Sequence, residues 1–85
     1  MKFTCPDALK FKVNEYLTDF FSKKGYKVET IDGVKIWLDD GWVLLRPSNT
    51  QPVMRMFVEA INKPVLKKIK SEFRSYFDDA VRAVS

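Results

Sequence analysis

Histidine is absent from this chain of 85 residues, and cysteine occurs once. The first absence removes the commonest general base and the commonest metal ligand. With a single cysteine as well, no zinc site can be assembled and no internal disulfide can form. An autonomous enzyme on this chain would have to work with carboxylates and lysines alone. No apolar run approaches the roughly 20 residues needed to cross a bilayer. The opening Met1-Lys2-Phe3-Thr4-Cys5-Pro6 lacks the apolar core and small-residue cleavage site of a signal peptide. The expected location is therefore the cytoplasm, with no membrane partner. No repeat, linker or low-complexity segment interrupts the chain, so residues 1–85 read as one compact unit.

What is present suits a small soluble domain. The hydrophobic fraction of 46%, with seven Phe and two Trp, is enough for a core and argues against disorder. A net charge of +4 and a pI of about 9.3 suit an anionic partner without identifying it. Cys5 reads as a small, wholly or partly buried residue at a helix entrance, since nothing nearby supplies a base to activate it.

The pattern along the chain gives helix, four strands, helix. Thr4 and Asp7 resemble a capping box, with Pro6 near the first turn. Leu9, Val13, Tyr16, Leu17 and Phe20 then follow helical spacing, and Gly25 suits the left-handed position that ends a helix, so the first helix is expected over 6–24. Phe3 can precede it in a short strand. Strands are expected over 26–31 and, after an Asp32-Gly33 turn, over 34–38. A second turn at Asp39-Asp40-Gly41 leads to 42–45, too apolar for a strand with one wet face and so placed centrally in the sheet. The fourth strand covers 53–60, with Met54, Met56 and Val58 on one face and Arg55, Phe57 and Glu59 on the other. Asn62 caps a last helix along which Leu66, Ile69, Phe73, Phe77, Ala80 and Val84 recur. Two amphipathic helices can both bury their stripes on one face of a four-stranded antiparallel sheet, an α+β two-layer sandwich.

Between the last two strands lies the densest polar chemistry of the chain, Arg46-Pro47-Ser48-Asn49-Thr50-Gln51-Pro52. Arg46 offers a planar fork of donors matched to phosphate oxygens. Ser48 and Thr50 offer hydroxyls and Asn49 an amide NH₂. Successive backbone N–H groups in such a turn can form an anion-binding nest. Pro47 and Pro52 restrict the backbone on either side, which lowers the entropy lost on binding.

This loop, with Glu59-Ala60 closing the following strand and with Asp32-Gly33-Val34-Lys35 and Asp40-Gly41-Trp42 before it, is similar to the C-terminal domain of the α-D-phosphohexomutases, the phosphomannomutase/phosphoglucomutase family. The motif there is Arg-(Pro/Ala/Ser)-Ser-(Gly/Asn)-Thr-x-Pro, and Gln51 stands where many members carry Glu. The resemblance covers most of the chain. It implies a fold like that of the TATA-binding protein and a phosphorylated hexose as ligand. Arg46, Ser48, Asn49 and Thr50 would hold the phosphate that is not reacting, while a phosphoryl group moves between O1 and O6. The catalytic serine, the Mg²⁺ site and the sugar-discriminating loop would lie in other domains of the enzyme, leaving this domain with no catalytic residue, no metal and no activity by itself.

The remaining candidates read as structure. Gln51 could hydrogen-bond within the loop or touch a sugar hydroxyl, and the loop hydrogen bond is the expected role. Arg55 is expected to form a same-face salt bridge with Glu59 or to dock another domain. Trp37 and Trp42 read as packing groups, Lys67-Lys68-Lys70-Arg74 as the solvated face of the last helix, and Asp32, Asp39 and Asp40 as turn residues whose loops are too short to converge on a metal. The competing reading is a basic double-stranded-RNA-binding module, with Lys63, Lys67 and Lys68 at the start of the last helix. Four strands instead of three, and the phosphate-type loop, count against nucleic acid as the partner.

Overall fold

The computed structural model describes residues 2–85. In chain order the elements are β1 (Lys2–Thr4), α1 (Asp7–Lys23), β2 (Lys27–Glu29), β3 (Val34–Leu38), β4 (Gly41–Pro47), β5 (Val53–Ala60) and α2 (Lys63–Val84). All the strands join one antiparallel sheet in the order β1-β5-β4-β3-β2. The α+β sandwich expected from the pattern is therefore present, with a fifth strand. Phe3 sits opposite Met54, so β1 covers an edge that β5 would otherwise expose.

The core lies between the sheet and the two helices. Val34, Ile36, Val43, Leu45, Met54 and Met56 project from one sheet face and are fully or almost fully buried. From α1 the buried stripe is Val13, Leu17 and Phe21, preceded by Lys10. The sequence pattern placed Leu9, Tyr16 and Phe20 in that stripe; they flank it, half-buried, and Phe21 lies at its centre. Helix α2 buries Ile69, Phe73, Phe77 and Ala80, as its spacing implied. The helices meet through rings, with Phe21 stacked on Phe73 at 5.3 Å and Tyr76 edge-on to Phe21 at 5.0 Å.

Local signals explain the boundaries, with one correction. Thr4 does not cap α1. It is held in β1 opposite Val53, and Pro6 takes the cap position with no side-chain cap hydrogen bond. The Pro6 carbonyl accepts from the N–H groups of Leu9 and Lys10 to start the helix. At its other end Gly25 has φ +89, and the N–H of Tyr26 returns to the Phe21 carbonyl, a hydrogen-bonded C-terminal cap. Asn62 caps α2, its Oδ1 accepting from Val65 N–H at 2.9 Å. Strand β2 is shorter than the 26–31 expected, because Thr30 to Gly33 form the turn into β3.

Candidate functional site

Strand β4 delivers Arg46 and Pro47 to the rim of the sheet, and β5 returns the chain from Val53. The connecting loop is folded around Ser48. Its N–H donates to the Val53 carbonyl at 3.0 Å. Its Oγ accepts from the N–H groups of Thr50 and Gln51 at 3.3 and 3.2 Å, a hydroxyl-closed turn. Ser48 is consequently 8% exposed, whereas Asn49 and Thr50 are open to solvent. The backbone nest expected from the sequence is thus largely consumed within the loop. Among the described residues only the Asn49 N–H, of those from Ser48 to Gln51, makes no hydrogen bond. The Gln51 backbone closes the loop: its N–H reaches Ser48 Oγ and its carbonyl accepts from Val53 N–H at 2.8 Å.

Arg46 and Arg55 sit directly opposite each other on β4 and β5, with Lys2 opposite Arg55 on the far side. All three belong to the sheet face away from the helices. Like charges in facing register destabilise an antiparallel pair. The salt bridge expected between Arg55 and Glu59 does not form. Residues four apart on a strand share a face but are about 13 Å apart, beyond contact. Glu59 instead accepts from Trp42 Nε1 at 2.7 Å, and Trp37 Nε1 donates to Glu29. Both tryptophans are therefore held by carboxylates, and Lys35 lies between their rings, 4.2 and 4.5 Å from the centroids. Arg46 has a partial partner in Asp32, 3.6 Å away and well exposed, a pair worth at most about 1 kcal/mol in water.

Gly33 brings that partner in. Its φ of +112 and its contact with β4 leave no room for a side chain, since a Cβ would lie 2.4 Å from the Leu45 carbonyl oxygen. The β2–β3 turn can then run against β4 at Arg46. The result is an open cleft of about 680 Å³ whose lining includes Arg46, Ser48, Asn49, Thr50 and Arg55 on the loop and strand side, and Asn14 and Asp32 facing them. Exposed Phe11, Ile31 and Phe57 give it an apolar rim. Every phosphate-site residue expected from the motif is in this one place.

Two contributors escaped the sequence reading. Lys10 is 5% exposed and lies beneath the loop, its Nζ donating to the carbonyls of Ser48 at 2.5 Å and Gln51 at 3.2 Å and pairing with Asp7 at 2.9 Å. Its only sequence signal was a lysine in register with the apolar stripe of α1. Asn14 carries a buried Oδ1 with no hydrogen-bond partner among the described residues, at the cleft wall. Cys5 is fully buried, and that burial pushes its thiol up despite the nearby Lys10 charge, which agrees with an unreactive role. No cluster of three or more His, Cys, Asp or Glu that could hold a metal occurs among the described residues. Among the described residues no helix is long and apolar enough to cross a membrane.

Fold and cleft together define an α+β domain whose β4–loop–β5 unit lines an open, arginine-bearing cleft. Residues 1–75 match the family described as "Phosphoglucomutase/phosphomannomutase, C-terminal domain", and the chain belongs to that family. It is similar to a phosphoglucosamine mutase of Methanococcus aeolicus, 47% identical over 73 residues, which cover 80% of this chain and 15% of the relative. A probable phosphoglucosamine mutase of Methanopyrus kandleri is 41% identical over 69 residues, covering 81% of this chain and 15% of the relative. The crystal structure of a phosphoglucomutase/phosphomannomutase family protein from Burkholderia thailandensis matches with a TM-score of 0.71 at 31% identity, over 89% of this chain and 17% of that one. The chain thus spans 15% of the length of these curated relatives. The resemblance read from Arg46 to Ala60 holds at the level of the family, and nothing in these matches supports the RNA-binding alternative.

Proposed function

We propose that this domain grips the non-reacting phosphate of a phosphorylated hexose while other domains of a mutase transfer a phosphoryl group between O1 and O6. The observation that carries this reading is the facing pair Arg46–Arg55 beside the Ser48–Asn49–Thr50 loop, all lining one cleft. Two guanidinium groups in facing register repel until a dianion sits between them, so the site favours an occupant of phosphate-like charge. That gives Arg55 a part in phosphate contact, in place of the structural salt bridge. Arg46 supplies a planar fork, Thr50 a hydroxyl, and Asn49 its side-chain amide and free N–H, while Ser48 shapes the turn, its Oγ 3.5 Å from Thr50 Oγ1.

The chemistry itself belongs elsewhere. Matched relatives bear the names phosphoglucosamine mutase and phosphoglucomutase/phosphomannomutase. The Mg²⁺ of such a transfer belongs, in this reading, to the remainder of the enzyme. Binding energy from a remote phosphate serves to position the reacting end. Half-buried Trp42 and Leu44 and exposed Phe57 give the outer sheet face an apolar centre suited to contact with those other domains. Cytoplasmic location fits a phosphosugar enzyme. In a mutase carrying this domain, Arg46→Ala should lower kcat/KM by about tenfold to a hundredfold, from the roughly 1.5–3 kcal/mol of a charged hydrogen bond. Arg46→Lys should restore only part, because an ammonium cannot reproduce the fork. Lys67→Ala on α2 should change little, and equal losses from Lys67→Ala and Arg46→Ala would contradict the assignment.

A further inference from the structure

Lys10 occupies a position in α1 where an apolar residue would be expected. It precedes Val13, Leu17 and Phe21 on the buried stripe and is itself 5% exposed. A buried ammonium is costly unless its donors are satisfied. Lysine has three, and three acceptors meet them: the Ser48 carbonyl at 2.5 Å, the Gln51 carbonyl at 3.2 Å and Asp7 Oδ1 at 2.9 Å. A methionine or leucine would fill the same volume without that desolvation penalty.

The planar trans peptide says what the arrangement achieves. A carbonyl and the N–H of the next residue point in opposite directions across one rigid plane. Drawing the Ser48 carbonyl down onto Lys10 therefore turns the Asn49 N–H away from the interior. That is the one N–H from Ser48 to Gln51 with no hydrogen bond among the described residues. Asn49 itself is exposed and lines the cleft shared with Arg46. We propose that Lys10 is a positioning residue for phosphate binding, which ties the loop to the first turn of α1 and so presents the Asn49 N–H to the anion. The proposal rests on the phosphate-grip reading above. The second carbonyl it holds, that of Gln51, precedes a proline with no N–H. Its hold on Gln51 therefore anchors the loop without presenting another donor.

The test is a titration of the ¹⁵N-labelled chain with inorganic phosphate, read at Arg46, Asn49 and the core amides of Ile36 and Val43. The Asn49 amide should move downfield on binding. Lys10→Met should weaken phosphate binding by about tenfold while the core amides keep their positions, and Lys10→Arg should recover part of the affinity. A folded Lys10→Met chain that binds phosphate as the parent does overturns the proposal. Should Lys10→Met not fold, the parent chain still decides: phosphate that shifts Arg46 but leaves the Asn49 amide unmoved overturns it equally. Phosphate that shifts neither Arg46 nor Asn49 overturns the grip reading and this proposal together.

Discussion

The two faces of the sheet are made from alternate residues of the same strands and do opposite things. On the inner face Val34, Ile36, Val43, Leu45 and Met54 are wholly buried. On the outer face Lys35, Trp42, Leu44, Arg46 and Arg55 stay partly open, and two of the cations stand in facing register. Inner residues raise stability through burial and close packing. The outer arginines oppose it mildly by mutual repulsion, which a stability argument alone would not place there. A fold held by one face is free to keep an unfavourable charge pattern on the other, and that pattern is where the proposed anion would gain its advantage.

The comparison breaks most visibly at two neighbouring residues. Leu45→Ala removes buried volume between sheet and helices and should lower the unfolding free energy by about 2–5 kcal/mol. Arg46→Ala, one residue on, should change it by no more than about 0.5 kcal/mol, because the outer side chain is exposed and its removal relieves Arg55. Urea unfolding of both variants measures this; a larger loss from Arg46→Ala than from Leu45→Ala would invert the account.

Gly33→Ala comes next, since it tests how the two faces are joined at the rim. The residue would have to hold φ +112 with a Cβ 2.4 Å from the Leu45 carbonyl oxygen. A strained backbone of this kind costs about 1–3 kcal/mol, and the turn must withdraw from β4. Thermal melting should show the loss, and the amide signals of Asp32 and Arg46 should move with it. A variant as stable as its parent would show that the close approach is not required.

The smallest effect sharpens the electrostatics. Asp32 is the carboxylate nearest Arg46 at 3.6 Å, so it competes with an incoming anion. Asp32→Asn should tighten phosphate binding by a few-fold, on the order of the 0–1 kcal/mol of an exposed ion pair. The gain should shrink as salt is raised. Calorimetric titration at two ionic strengths checks both signs, and weaker binding would mean that Asp32 orients Arg46 instead of competing for it.

Much of this was legible in the sequence. The helices, the turns at Asp32-Gly33 and Asp39-Asp40, and the faces of β5 all follow from period and turn chemistry. The residues of the phosphate loop were legible because they are contiguous, and the resemblance gave them a shared role. The short strand at Phe3 was anticipated as well, though not its pairing with β5. Two features were not legible. The Arg46–Arg55 pairing depends on register across a loop, while the false partner Glu59 came from shared facing without the distance along a strand. Lys10 lies 38 residues from the Ser48 carbonyl it holds, so no local pattern could announce it. Strand β4 was read as central from its apolar run, and so it is, but Trp42 and Leu44 on its outer side are only half-buried in this chain.

The central claim, that the cleft at Arg46 is made for a sugar phosphate, is tested most directly by following the amide and arginine side-chain NMR signals of the chain during addition of a hexose 6-phosphate, with duplex RNA as the rival ligand. The account predicts shifts confined to Arg46 through Thr50 and to Arg55, saturating at about millimolar concentration. Shifts instead along Lys63 to Lys70 with RNA at lower concentration, and none with the sugar phosphate, would contradict it.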